Sequence, residues 1–201
     1  MIDHSIYNKN FLDGLLRRFG DGPYYVEFEI FCDGAKMFFT LQTAPNELMP
    51  HSLFTFMTMV QDKVWDNSLF MHKWTHIIQA IEDPLYNKHD LDKYQLAFPE
   101  YTDKFPHDQF SMGFSGYSST PNFFLNTIDN VRNHGPGGQK IGAILNDADP
   151  CFGKIIFGKE SLTKLINLSD DAMLKDEIHY SRINNVRRVF PREELLKGIG
   201  A

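Results

Sequence analysis

Cysteine is nearly missing from this chain of 201 residues, where only Cys32 and Cys151 occur. Two thiols cannot build a disulfide framework, and their spacing demands no bridge, so both are expected to be free and buried. No run approaches the roughly 18 apolar residues that a membrane-spanning helix needs. Basic clusters are scarce too: 20 Lys and Arg face 26 Asp and Glu, a net charge of −6. That balance argues against a dedicated nucleic-acid binder and against charge-driven adhesion to anionic lipid. The opening Met1-Ile2-Asp3-His4 and the polar residues behind it lack an apolar h-region. The expectation is a cytoplasmic or other intracellular protein.

Aromatic residues are what the chain has in abundance. Its 18 phenylalanines, 8 tyrosines and 2 tryptophans make 14% of the sequence, within a hydrophobic share of 42%. Such a chain buries a real core, and aromatics at this density belong inside it or on sheet faces.

Periodicity places the elements. Phe11, Leu12, Leu15, Leu16 and Phe19 recur at helical spacing until Gly20-Asp21-Gly22-Pro23 breaks the pattern. A helix this short needs something to dock on, such as a barrel mouth or a partner, and the barrel mouth is the favoured reading. From Tyr24 the period becomes two, and Asp33-Gly34 turns one strand into the next over Lys36–Gln42. A helix follows over His51–Val60. Strands are expected at Leu69–Trp74, Ile77–Gln79, Phe110–Gly113, Asn122–Asn126, Lys154–Phe157 and Ile183–Val189, with a helix at Lys159–Ile166. Residues 80 to 109 read as loops around a short strand near Leu96–Phe98. Many short strands and a few brief helices point to a closed β-barrel plugged by helices.

The order of these motifs resembles the cyclophilin-type peptidyl-prolyl cis-trans isomerases. Pro50-His51-Ser52-Leu53-Phe54-Thr55-Phe56 looks like the family's first helix, and Phe70-Met71-His72 like its Phe-His-Arg strand. Phe110-Ser111-Met112 through Asn122-Phe123-Phe124 is similar to its Leu-Ser-Met-Ala-Asn…Gln-Phe-Phe segment. Cys151 to Lys159 looks like its turn and Val-Phe-Gly-Lys strand, and Ile183 to Arg187 like its last strand. The resemblance implies an eight-stranded antiparallel barrel capped by two helices, over about residues 23–190. An N-terminal amphipathic extension, 1–22, and a tail, 191–201, flank it.

It also implies a shallow outer groove that holds a proline ring and twists the X–Pro bond, with no metal, nucleophile or cofactor. The family's arginine is absent: its position falls on His72, with Lys73 one step on, and neither offers a planar five-donor fork. Alternation puts His72 on the face of Phe70. Gln79 matches the substrate-binding glutamine if one residue is missing before it. His76 then replaces a pocket phenylalanine, and Ile77 a pocket methionine. Phe124 matches the base of the proline pocket. Gly113 and Phe114 stand where backbone binds substrate, with Phe114 adding bulk to the groove wall, and Asn122 replaces a glutamine. Pro150, Asp149 and Lys154 fall where the family carries leucine, tryptophan and histidine.

Other constellations carry less. His72, His76 and Asp83 do not converge as metal ligands on a strand followed by a loop. Gly135 to Lys140 lacks the Gly-Lys-Ser/Thr order of a phosphate loop. Arg187, Arg188 and Arg192 read as a solvated basic end. Two functions remain open, a weakened isomerase acting on X–Pro bonds, and an inactive cyclophilin-like module that binds a proline-containing peptide or protein. A third is a structural brick whose partner contacts lie in residues 1–20 or 80–109.

Overall fold

The computed structural model describes residues 4–32, 34–81, 90–115, 122–138, 148–167 and 182–190. Helix α1 (His4–Phe19) leads into a hairpin of β1 (Tyr25–Cys32) and β2 (Ala35–Thr43), then α2 (Pro50–Gln61). Strands β3 (Leu69–Lys73) and β4 (Ile77–Ile81) precede β5 (Ser111–Phe114) and β6 (Phe123–Asn126). The short helix α3 (Val131–His134), β7 (Cys151–Phe157), α4 (Lys159–Asn167) and β8 (Arg182–Val189) complete the order. The eight strands close in the order β1-β2-β7-β5-β6-β4-β3-β8. Every pairing is antiparallel. The expected helix-capped antiparallel barrel with an extra N-terminal helix is therefore the observed architecture.

Alternation along each strand decides which side chains fill the barrel. On β1, Val26, Phe28, Ile30 and Cys32 are buried while Tyr25, Glu27, Glu29 and Phe31 are half-exposed. The interior is packed ring on ring. Phe28 stacks on Phe39 at 4.7 Å, and Trp65 meets Phe123 edge-on at 4.6 Å. Phe152 lies 4.7 Å from Phe56 and 4.4 Å from Phe114. Helix α2 thus sends Phe56 into the barrel alongside the strand aromatics. Both cysteines are free and buried.

The start of α2 is held by the segment that sequence left largely unassigned. Pro50 opens the helix, and Met49 before it supplies no side-chain cap. Glu100 fills that role from a distance, accepting from the Ser52 amide at 2.8 Å and the His51 amide at 3.3 Å. Amide donors at a helix start favour a carboxylate, although burial pushes the Glu100 carboxyl above its usual range. The expected strand near Leu96–Phe98 does not form. A 3-10 turn spans Leu91–Tyr94, and Tyr94 and Leu96 tuck inward singly. Eight strands already close the barrel, so this segment has no open sheet edge to pair with.

Strand β7 begins at Cys151, three residues before the expected Lys154, because Gly153 continues the strand. A Cβ on Gly153 would stand 2.7 Å from Leu41 Cδ1, so glycine there permits the close β2–β7 approach.

Helix α1 packs along α2 and belongs to the fold. Leu15 is fully buried, Phe11 stacks on His51 at 4.2 Å, and Arg18 donates to Gln61 Oε1 at 2.9 Å. Leu15→Ala should lower unfolding free energy by about 2–4 kcal/mol in one cooperative urea transition. A loss below about 1 kcal/mol, or a separate early transition, would show α1 to be an appendage.

Candidate functional site

The candidate site lies on the outer face of β3–β4–β6–β5. Phe123 and Leu125 enter the core, so strand parity sends Phe124 and Asn126 to the opposite face. Gln79 pairs with Phe124 across β4–β6, and Gly113 pairs with Phe124 across β5–β6. On β3, His72 pairs with Gln79. His72, Gln79, Phe124 and Gly113 therefore occupy one cross-strand row, although they are far apart in sequence.

A register shift between Phe70 and His72 makes this row. It pairs Phe70 with buried Ala80 and the His72 backbone with half-buried Gln79, while Lys73 pairs with Ile78. The side chain of His72 lies outside the described residues. Ile77 is buried opposite Asn126, one step along from the row.

Phe114 does not line a groove. It is fully buried in the barrel beside Phe152 and Phe56, because it shares the inward parity of Met112. Asn122 is half-buried just before β6, its carbonyl accepting from the Ser115 amide at 3.0 Å. Pro150 is buried, and its carbonyl accepts from the Phe114 amide at 3.0 Å. Lys154 sits opposite Ser111, ion-paired with Asp108 and 5.0 Å over the Phe105 ring. It is a tethered cation at the edge of the site.

The face of Phe124 is not open. His134, at the end of α3, lies over Phe124 with ring centroids 4.4 Å apart. His107 stacks on the same ring at 5.7 Å and 21°. His76 stacks in turn on His134 at 5.4 Å. Phe124 is left 2% exposed. A Cβ added to Gly113 would lie 2.6 Å from the Pro150 carbonyl, 2.9 Å from His107 and 3.0 Å from Phe124. Glycine lets the loop, the imidazole and the phenyl ring close over this point.

A buried polar network fixes the covering rings. The His107 Nε2–H donates to the Asp149 carbonyl at 2.8 Å, leaving Nδ1 to accept from the Asn126 amide group at 3.1 Å. Asn126 also donates to Ser111 Oγ at 2.8 Å and accepts from Asn130 at 2.7 Å. Asn133 donates to Asn130 Oδ1 at 2.6 Å, and the Asn130 side chain reaches the His76 carbonyl at 3.2 Å. His134 Nδ1 meets Asp149 Oδ2 at 2.6 Å. Removing one member of such a network strands its partners in a low-dielectric interior.

Burial pushes His107 down to about 4, outweighing the Asp149 carbonyl bond that raises it. His76 is lowered by burial and by the neighbouring His134. His107 therefore covers Phe124 as a neutral ring at physiological pH. Cys151, buried beside Pro106, is pushed up to about 12 by desolvation and is no thiolate nucleophile. Among the described residues, no group of three or more His, Cys, Asp or Glu side chains could hold a metal ion.

Sequence reasoning missed His107, Asn126, Asn130 and His134. Asn126 shares the parity of Phe124, a readable signal. His107 and His134 arrive from a loop and a four-residue helix with no pattern of their own.

No family sequence model matches the chain, and no curated protein sequence matches it. Solved structures do. A cyclophilin-type peptidyl-prolyl cis-trans isomerase from Cryptosporidium parvum superposes with a TM-score of 0.62 at 16% identity, covering 84% of this chain and 99% of that one. The same isomerase, crystallised in the presence of the dipeptide Ala-Pro, gives 0.57 at 17% identity, covering 83% and 99%. The cyclophilin AquaCyp293 from Hirschia baltica gives 0.50 at 13% identity, covering 82% of this chain and 73% of that one. The chain is a cyclophilin-like β-barrel.

Two consequences of the network are measurable. Asn126→Ala should cost about 1–3 kcal/mol in urea unfolding, since it strands His107 Nδ1 and removes one of the two acceptors of the Asn130 amide group. A change near zero would mean that the network contributes nothing.

The folded His107 value of about 4 lies below the ordinary 6.5, so the unfolded chain binds the proton first. Stability from neutral His107 is complete above pH 6.5 and is lost as pH falls toward 4, on the order of 3 kcal/mol in all. His51, also lowered to about 4 by burial, acts in the same direction. Glu100, raised by burial, acts in the opposite one, adding stability that is lost as pH rises. The direct readout is therefore the His107 ring resonance in NMR, expected to stay flat from pH 8 to about 5. A midpoint near 6.5 would contradict the buried neutral ring.

Proposed function

We propose that this protein is a cyclophilin-like peptide-binding module that engages proline-containing segments on the β3–β4–β6–β5 face, with prolyl isomerisation as a weak, residual activity. The observation that carries this reading is the pair of imidazoles on Phe124. An isomerase must seat the proline ring on an apolar floor and aim a donor at the twisting amide. The row of His72, Gln79, Phe124 and Gly113 supports peptide recognition, because Gln79 is half-exposed beside the floor residue.

The floor, however, is already occupied. His134 and His107 rest on Phe124 with ring separations of 4.4 and 5.7 Å, held by Asp149 and Asn126. A proline ring has to displace His134, breaking its Asp149 contact, before it reaches the phenyl face. The donor is weakened as well, since no arginine stands at the His72 position. The uncatalysed X–Pro bond turns over in tens to hundreds of seconds, so even slow catalysis is visible against that background.

An NMR exchange assay on an Ala-Pro peptide tests the reading. The wild type should shift the Gln79 and Gly113 amides on peptide addition and accelerate exchange only at high protein concentration. His134→Ala should uncover Phe124 and increase both effects, while Phe124→Ala added to it should reverse the gain. Fast turnover by catalytic amounts of wild type would overturn the residual-activity reading. No shift at Gln79 or Gly113 in either protein would overturn peptide binding on this face.

A further inference from the structure

A second concavity, sharing no residue with the Phe124 site, opens between the ends of α1 and α2 and strand β8. It has a volume of about 340 Å³. Its floor is apolar: Met57, Val60 and Val186 are buried there, and Phe19 closes one side. Its rim is cationic, with Arg18 from α1, Lys63 after α2 and Arg188 from β8. Along the sequence, Arg187 and Arg188 read as a solvated basic end. The fold adds Arg18 and Lys63, and among the described residues one of the four has a carboxylate partner. Arg187 is ion-paired with Glu27, donating from Nε at 3.0 Å.

Arg18 and Arg188 are held by neutral partners among the described residues. Arg18 donates to Gln61 Oε1 at 2.9 Å and Thr58 Oγ1 at 3.1 Å, both uncharged acceptors. Arg188 donates to the Phe19 carbonyl at 2.7 Å and lies 4.8 Å over the Tyr24 ring. Lys63 stands in a left-handed backbone conformation, φ 57°, at the turn that ends α2. Among the described residues, no carboxylate lies within ion-pair distance of Arg18, Lys63 or Arg188. On a chain of net charge −6, such a cluster is a local reversal of sign.

We propose that this pocket binds a small amphipathic anion, a carboxylate carrying a hydrocarbon body. The two halves of the pocket select for the two halves of the ligand. Guanidinium groups held by neutral partners keep donors for a carboxylate and lose little freedom on binding it. The floor of methionine, valine and phenylalanine side chains rewards hydrocarbon with burial of apolar area. Inorganic phosphate satisfies the rim and leaves the floor wet. A neutral alkane or alcohol covers the floor and leaves the charges without a counter-ion. The volume is near the lower end of the roughly 300–1,000 Å³ seen for small-molecule sites, which suits a medium chain rather than a folded partner.

The test is a titration of the full chain with decanoate, followed by amide NMR, with decan-1-ol and inorganic phosphate as comparison probes. Decanoate should give saturable shifts centred on Val60, Lys63, Val186 and Arg188, and either comparison probe should bind at least about tenfold more weakly. Lys63→Gln and Arg188→Gln should each weaken decanoate binding by about threefold to tenfold while the remaining amide spectrum stays in place. Lys63 is exposed, so its variant keeps the test valid if Arg188→Gln perturbs β8. Shifts that never saturate or that spread over the surface overturn the proposal. So does equal binding of decan-1-ol, or unchanged affinity in Lys63→Gln. His134→Ala should bind decanoate as the wild type does, which separates this pocket from the peptide face.

Discussion

Strand parity inside a closed barrel is the constraint on which the rest of this molecule depends. Once eight strands close in antiparallel register, each side chain is committed to one of two faces. The inner face is filled by aromatic rings at contact distances of 4.4 to 6.1 Å, with α2 supplying Phe56 to complete the packing. Phe123 is central to that interior, meeting Phe28, Trp65 and Phe70. Its neighbour Phe124 has no room inside. The core thereby places a phenyl ring on the outer face, and that ring organises the candidate site.

An exposed phenyl face costs free energy unless something apolar covers it. In this chain the cover comes from within, through two imidazoles locked by Asn126, Asn130 and Asp149. Coupling between cover and scaffold is tight because the network uses polar groups that burial would otherwise penalise. The same arrangement that protects the ring stands between it and a proline. On the proposed reading, the absence of an arginine at the His72 position and the covered floor both favour recognition over turnover.

Similar reasoning connects α1 to the second pocket. Leu15 and Phe11 bind α1 to α2, and that docking brings Arg18 and Phe19 to the end of α2 and the edge of β8. Without the docked helix the cavity loses its Phe19 wall and the Arg18 part of its cationic rim. The leading segment, read along the sequence as a cover for the barrel or a partner element, thus also builds a cavity.

Much of the architecture was legible in the sequence. Period-two patterns over Tyr25–Cys32 and the Gly34 turn marked the first hairpin, and apolar spacing marked α2 and α4. These signals are local, and a barrel with an aromatic core enforces them at every strand. Parity alone could also have moved Phe114 into the core and Asn126 beside Phe124. What only the tertiary structure decided was which residues from irregular segments arrive at those faces. The register shift in β3, the cap at Glu100, the imidazoles of His107 and His134, and the convergence of Arg18 and Arg188 on one cavity all depend on contacts between segments far apart in the chain. Loops carry no period to read, and their positions follow from the packing of what they connect. The abundance of phenylalanine determined that there would be a densely filled barrel. The fold decided that Phe124 turns away from that core, and what lies over it.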